Sequence, residues 1–301
     1  MSKANLAASV RQRLLNQARA QDRPFQELLQ YYAMERFLYR LSRSEYSKKF
    51  ILKGALLLTA WRAPLSRPTV DIDLMGQTSN DLDHIRLIVD KLCSMEVEPD
   101  GVQFDAGTVS VDRIKEDADY EGVRIRFWAQ LAGAQIPMQI DIGFGDVIVP
   151  APTMIEYPTL LDFPPPHLAA YPKEAVIAEK LQALTDLGML NSRLKDYFDL
   201  WLLSRLYDFQ GPVLVEAIEA TFRHRATAIE ALPVGLTDAF SADPARRRQW
   251  VAFLRRSRFK TAPAELEGIV EAIREFLQPP LSAAASDEPF KAAWSRSASW
   301  S

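Results

Sequence analysis

Residues 67–74, RPTVDIDL, alternate polar and apolar side chains, with Thr69, Asp71 and Asp73 set against Val70, Ile72 and Leu74. A period of two marks a β-strand with one buried face, so the rest of the chain has to supply a sheet around it. Residues 135–142 alternate in the same way, Ile136, Met138, Ile140 and Ile142 on one side and Gln139 and Asp141 on the other. Residues 109–114 and 123–131 read as further strands, and residues 50–62 as a short strand followed by a helix.

On either side the periodicity becomes helical. Leu6, Val10, Leu14 and Leu15 recur at helical spacing, and after a break at residues 22–24 so do Leu28, Leu29, Tyr32, Phe37, Leu38 and Leu41. Pro24 suits the first turn of that second helix. Residues 80–93 form an amphipathic helix within the mixed segment. Past a proline-rich connector at 157–172, helices are expected over 173–187, 193–207, 212–223, 245–256 and 263–277. Helices, then a mixed segment, then helices make an α+β fold. The expected division is an N-terminal helical segment at 1–47, a mixed α/β core at 48–165 and a C-terminal helical domain at 166–280. Residues 281–301, rich in Ala and Ser, read as a poorly ordered tail despite Trp294 and Trp300.

Asp71 and Asp73 project from one face of their strand, about 6.6 Å apart at roughly 3.3 Å per residue. Two like charges so placed either stay solvated or share a cation, and hard oxygen ligands suit Mg²⁺, which also binds substrate phosphates. Asp141, on the polar side of another strand, is a third carboxylate able to join them if the strands are neighbours. In the helical half, Asp196 and Asp199 lie three apart on one helix face, and Lys180 lies on the helix before it. Lys180 and these acids either form an ion pair at the mouth of a cleft or direct the lysine at a phosphate; solvated charges on amphipathic helices are the plainer alternative.

Between Pro244 and Pro263 stand Arg246, Arg247, Arg248, Arg255, Arg256, Arg258 and Lys260 with no acid among them, interleaved with Trp250, Phe253 and Phe259. Cations and stacking aromatics suit RNA. Helical spacing, however, puts Arg247, Arg255 and Arg258 on one face and Trp250 and Phe253 on another, which equally fits an amphipathic helix with a solvated basic side. The net charge of −3 excludes a general polycation. His84, His167 and His224 are scattered, so no hydrolase triad is visible, and no G-x-x-x-x-G-K-[ST] loop occurs. The one cysteine, Cys93, excludes a multi-cysteine zinc site. With no secretory signal and no apolar run near the roughly 20 residues that span a bilayer, no membrane role is expected, and the expected location is cytoplasmic.

Four blocks in order carry a resemblance: LLQYYAMERFLYRLSRS, FILKGALLLTAW, RPTVDIDL, and EAVIAEKLQALTDLG with RLKDYFDLWLL. Over about residues 5 to 275 the chain resembles the AbiEii/AbiGii family of nucleotidyltransferase-like toxins of type IV toxin–antitoxin and abortive-infection (phage defence) systems. The resemblance implies a polymerase-β-like nucleotidyltransferase core, a mixed sheet with helices, flanked by N-terminal helices and a C-terminal helical region. It implies transfer of a nucleoside monophosphate from an NTP with Mg²⁺ or Mn²⁺. Some relatives modify the acceptor end of tRNA and so stop translation, and a cognate antitoxin encoded by a neighbouring gene is the expected partner. Lys53 and Gly54 match the family's lysine–glycine motif near the nucleotide, Asp71 and Asp73 its metal pair, and Lys180, Asp196 and Asp199 its late motif. Arg67 and Thr69 match its R-x-T approach to the aspartates. Asp141 is placed by strand alternation alone. Ala55 stands where the family often has a second glycine. Two other readings fit the same residues, a non-catalytic NTP-binding protein and a transferase that modifies protein.

Overall fold

The computed structural model describes residues 3–63, 68–117, 120–257, 262–297 and 299–301. Seven strands form one mixed sheet: β1 (Phe50–Lys53), β2 (Asp71–Gly76), β3 (Gln103–Asp117), β4 (Tyr120–Leu131), β5 (Ala134–Phe144), β6 (Thr153–Glu156) and β7 (His167–Ala170). Their order is β3-β4-β5-β2-β1-β7-β6, with β2 parallel to β5 and antiparallel to β1. This is the α+β class, and it makes the two alternating segments read from sequence direct neighbours.

Register follows from the turns. Only Ala132 and Gly133 separate β4 from β5, at φ values of 47° and 80°. Two central residues with positive φ match the twist of the flanking strands. The pairing this sets begins at Leu131 and Ala134 and places Arg124 opposite Asp141. A slip of one residue would turn every side chain to the wrong face. Ile72, Ile140 and Ile125 lie abreast on adjacent strands and are buried. Helices α2 (Phe25–Arg43) and α4 (Leu82–Ser94), the latter following the short α3 (Leu56–Ala60), pack against the sheet, α4 started by Asp81, which accepts a bond from the His84 backbone N–H at 2.9 Å.

The chain divides into two compact units, residues 1–145 with 153–170, and residues 146–152 with 171–301. Helices α1 (Lys3–Ala20) and α2, read from sequence as a segment apart, lie in the unit of the sheet. The second unit is helical: α5 (Lys173–Leu187), α6 (Leu194–Leu206), α7 (Gly211–His224), the short α8 (Asp238–Ser241), α9 (Pro244–Ser257) and α10 (Leu266–Ser286). Among the described residues, no helix is long and apolar enough to cross a membrane.

The expected loose tail is corrected. Helix α10 continues through Pro279 and Pro280, and beyond it β9 (Ala293–Ser295) pairs with β8 (Phe209–Gln210) and β10 (Ser299–Trp300). Burial and hydrogen bonding explain the order. Pro280 has no N–H for the carbonyl of Phe276, four residues back, and the Trp300 indole donates to that carbonyl instead, at 3.0 Å. Trp294 is buried, donates to the Ser204 carbonyl at 2.8 Å, and packs on the Phe276 ring at 4.8 Å.

Candidate active site

Alternation along β2 and β5 sets the site. Asp71 and Asp73 share one face of β2, and the parallel register puts Asp73 directly beside Asp141. Carboxylate oxygens of Asp71, Asp73 and Asp141 all lie within 4.8 Å of one another. Asp71 and Asp73 are half-buried and Asp141 is buried. Three acids this close repel unless countered. Arg124 supplies one counter-charge, donating to both Asp141 oxygens at 2.8 and 2.6 Å. Those hydrogen bonds hold the Arg124 guanidinium above its ordinary range against the opposing effect of burial, and the charges of Asp141, Asp71 and Asp73 add to them. Gln139 donates to Asp141 at 3.3 Å, and the Thr69 hydroxyl donates to Asp71.

On the other flank of β2, Lys53 stands opposite Asp73 in the antiparallel pairing with β1. One row across five strands thus reads Lys53, Asp73, Asp141, Arg124, Asp112. Gly54 follows at φ 74°, and a Cβ there would collide with the Asp73 carboxylate. Both conformation and space demand glycine. Gly54→Ala is therefore expected to push Asp73 aside and to lower turnover at least about a hundredfold, as misplacement near 1 Å can; steady-state assays beside wild type would measure it.

The donor set fits a hard divalent cation. Oxygens on one Mg²⁺ stand at most about 4.2 Å apart, twice the metal–oxygen distance, so small rotations of these side chains suffice. Beyond its bond to Arg124, Asp141 Oδ1 keeps a further lone pair, whereas Oδ2 also accepts from Gln139.

The second unit holds the late motif. Lys180 on α5 donates to Asp196 at 2.6 Å and lies 2.9 Å from Asp199, both acids buried on α6. Arg193 meets Asp196 at 2.9 Å. The alternative of solvated charges is set aside: the acids face inward and Lys180 is largely covered. Burial raises the Asp196 carboxyl, but the charges of Lys180 and Arg193 outweigh it and hold it at about 2, against an ordinary 3.8. A depressed acid stabilises the fold above its unfolded value and loses that contribution as pH falls through the folded one. Melting temperature should therefore fall from about pH 4 down to pH 2, and Asp196→Asn should flatten that part of the profile.

Of the basic stretch, Arg247 pairs with Glu267 and donates to the Ser241 carbonyl at 3.1 Å, and Arg255 is exposed. Arg67 and Arg258 lie outside the described residues. Trp250 is fully buried and belongs to the core, with the half-buried Phe253 stacked on it at 5.4 Å. Sequence reading passed over Arg124, although Arg124 and Arg126 alternate with Val123, Ile125 and Phe127 and so face the carboxylates' side.

A family model described as Nucleotidyl transferase AbiEii toxin, Type IV TA system, matches residues 36–279. A candidate nucleotidyltransferase from H. pylori, solved as a crystal structure, is similar at 16% identity and TM-score 0.50, over 87% of this chain and 96% of that one. The crystal structure of JHP933 from Helicobacter pylori gives 15% identity and TM-score 0.49 over 87% and 93%. No curated protein matches the chain.

Proposed function

The chain belongs to the AbiEii nucleotidyl transferase toxin family of type IV toxin–antitoxin systems, and from that premise we propose that it transfers a nucleoside monophosphate from an NTP to an RNA acceptor, tRNA foremost, and so blocks translation. The observation that carries the reading is the gathering of Asp71, Asp73 and Asp141 on adjacent strands with Gly54 against Asp73. In the step, an acceptor hydroxyl oxygen bonds to the α-phosphorus. The bond from that phosphorus to the oxygen bridging the β-phosphate breaks, and pyrophosphate leaves with the electron pair. Asp141 takes the hydroxyl proton, with Arg124 and Gln139 fixing its orientation. Asp71 and Asp73 would hold Mg²⁺ or Mn²⁺, which when bound neutralises charge on the α-phosphate and the leaving oxygen.

Lys53 attracts the triphosphate, and Gly54 lets the backbone approach it. Thr69 orients Asp71, and Arg67 contacts phosphate. Lys180, fixed by Asp196 and Asp199, is proposed as a further nucleotide-binding cation. Arg247, Arg255 and Arg258 are secondary contacts to RNA phosphates. An antitoxin encoded next door counters the activity.

Incubating the protein with Mg²⁺, total tRNA and each of four α-labelled NTPs tests this. Label entering RNA from one NTP is expected. Label in protein instead would move the acceptor to a side chain, and bound NTP with no label anywhere would make the fold a non-catalytic nucleotide binder.

A further inference from the structure

A groove of about 690 Å³ opens beside the carboxylates, within the size range of sites for small ligands, roughly 300–1,000 Å³. It is continuous with them, because Thr69 and Gln139, which hold Asp71 and Asp141, both line it. Trp128 sits opposite Pro137 on the same sheet face as Arg124 and Arg126, and is 42% exposed. Val70, 66% exposed, lies in the same groove. An exposed indole beside an exposed valine, next to a row of charged groups, is a contiguous apolar surface of the kind that meets a ligand.

We infer that this groove seats the terminal unpaired nucleotide of the RNA acceptor, with its base stacked on Trp128 and its phosphate met by Arg126. The inference rests on the transferase reading above. Three observations favour the acceptor over the NTP. The lining is mostly apolar and carries the single cation Arg126, whose exposed pairing with Asp112 at 3.4 Å a phosphate would have to displace, which suits a base and one phosphate rather than a triphosphate. Its one acid, Glu27, is taken up by Arg23 at 2.7 Å. Position agrees: Lys53 and Gly54 lie on the β1 flank of β2, whereas Gln139, Arg126 and Trp128 lie on the β5 and β4 flank. Phosphoryl transfer runs in line, so attacking and leaving oxygens occupy opposite sides of the phosphorus. A triphosphate departing toward Lys53 requires the acceptor to come from the groove. Stacking tolerates any base, since each has a π-face, so the Trp128 surface selects an unpaired end more than a sequence.

The test uses the full chain, a fluorescent single-stranded RNA oligonucleotide, the same RNA annealed into a blunt duplex, and a fluorescent ATP analogue. Wild type should bind the single strand better than the duplex. Trp128→Ala should weaken single-strand binding about 10- to 100-fold, the usual worth of one stacked base, and raise KM for RNA in transfer. It should leave ATP-analogue affinity and melting temperature unchanged, and Trp128→Phe should restore most of the loss. ATP affinity falling while RNA binding holds would overturn the assignment, as would unchanged RNA binding in Trp128→Ala or no RNA binding by wild type. If RNA binds through Trp128 but no label is transferred, the groove stands and the transferase reading falls. If label is transferred with KM for RNA indifferent to Trp128, the reverse holds.

Discussion

Asp71→Ala is expected to lower nucleotide transfer about a thousandfold or more while leaving the melting temperature where it was. The size follows from the task assigned to the carboxylates. Holding the cation that neutralises transition-state charge is worth several kcal/mol, and each 1.36 kcal/mol is tenfold in rate. The unchanged stability follows from the surroundings. Asp71 is half-exposed, it accepts a hydrogen bond from the Thr69 hydroxyl, and it stands beside two other acids. Removing it relieves repulsion while giving up one hydrogen bond. Labelled-NTP transfer and thermal melting on one preparation check both halves; wild-type transfer rates in Asp71→Ala would sink the enzymatic reading.

Lys180→Met should do the opposite and cost stability first. The variant keeps the aliphatic stem but leaves Asp196 and Asp199 buried without their shared ammonium. Breaking a buried ion pair from one side costs about 3–5 kcal/mol. Arg193 still faces Asp196, which favours the lower end. The melting temperature of the second unit should drop by roughly 10 °C. Adding Asp199→Asn to Lys180→Met should return part of the loss, because one stranded charge disappears. If Lys180 also faces nucleotide, KM for NTP rises in the folded variant below its melting point. A stability loss with KM unchanged would make the cluster purely structural.

The legible parts of the fold were those that a local period encodes. Asp71, Asp73 and Asp141 were readable because a strand sends alternate side chains to one face, and the same rule marked the isoleucines of β2 and β5. Arg124 was equally available by that rule, but its partner is fixed by the Ala132–Gly133 turn, and only the pairing shows which carboxylate it meets. Buried charge in α2 was hidden for another reason. Glu35, Arg36 and Arg40 sit among apolar residues of a helix enclosed on nearly every side, and Arg40 meets Asp100 at 2.7 Å, sixty positions along the chain. The C-terminal order was hidden because composition says Ala and Ser, whereas the order depends on Trp300 reaching a carbonyl that Pro280 cannot use. The groove at Trp128 escaped as well, since the bulge near Asp105–Ser110 and the start of α2 both shape it.

The row from Lys53 to Asp112 sets two cations among three anions across five strands. Neighbours in such a row set one another's electrostatic surroundings, so their substitutions should not add. Losing Arg124 alone leaves Asp141 crowded by acids, and losing Asp141 alone leaves a guanidinium among vacated bonds, whereas losing both restores balance at that end. A chain that keeps Asp141 for proton transfer should therefore also keep a cation at position 124, and an exchange at either would mark a chain released from selection on its chemistry.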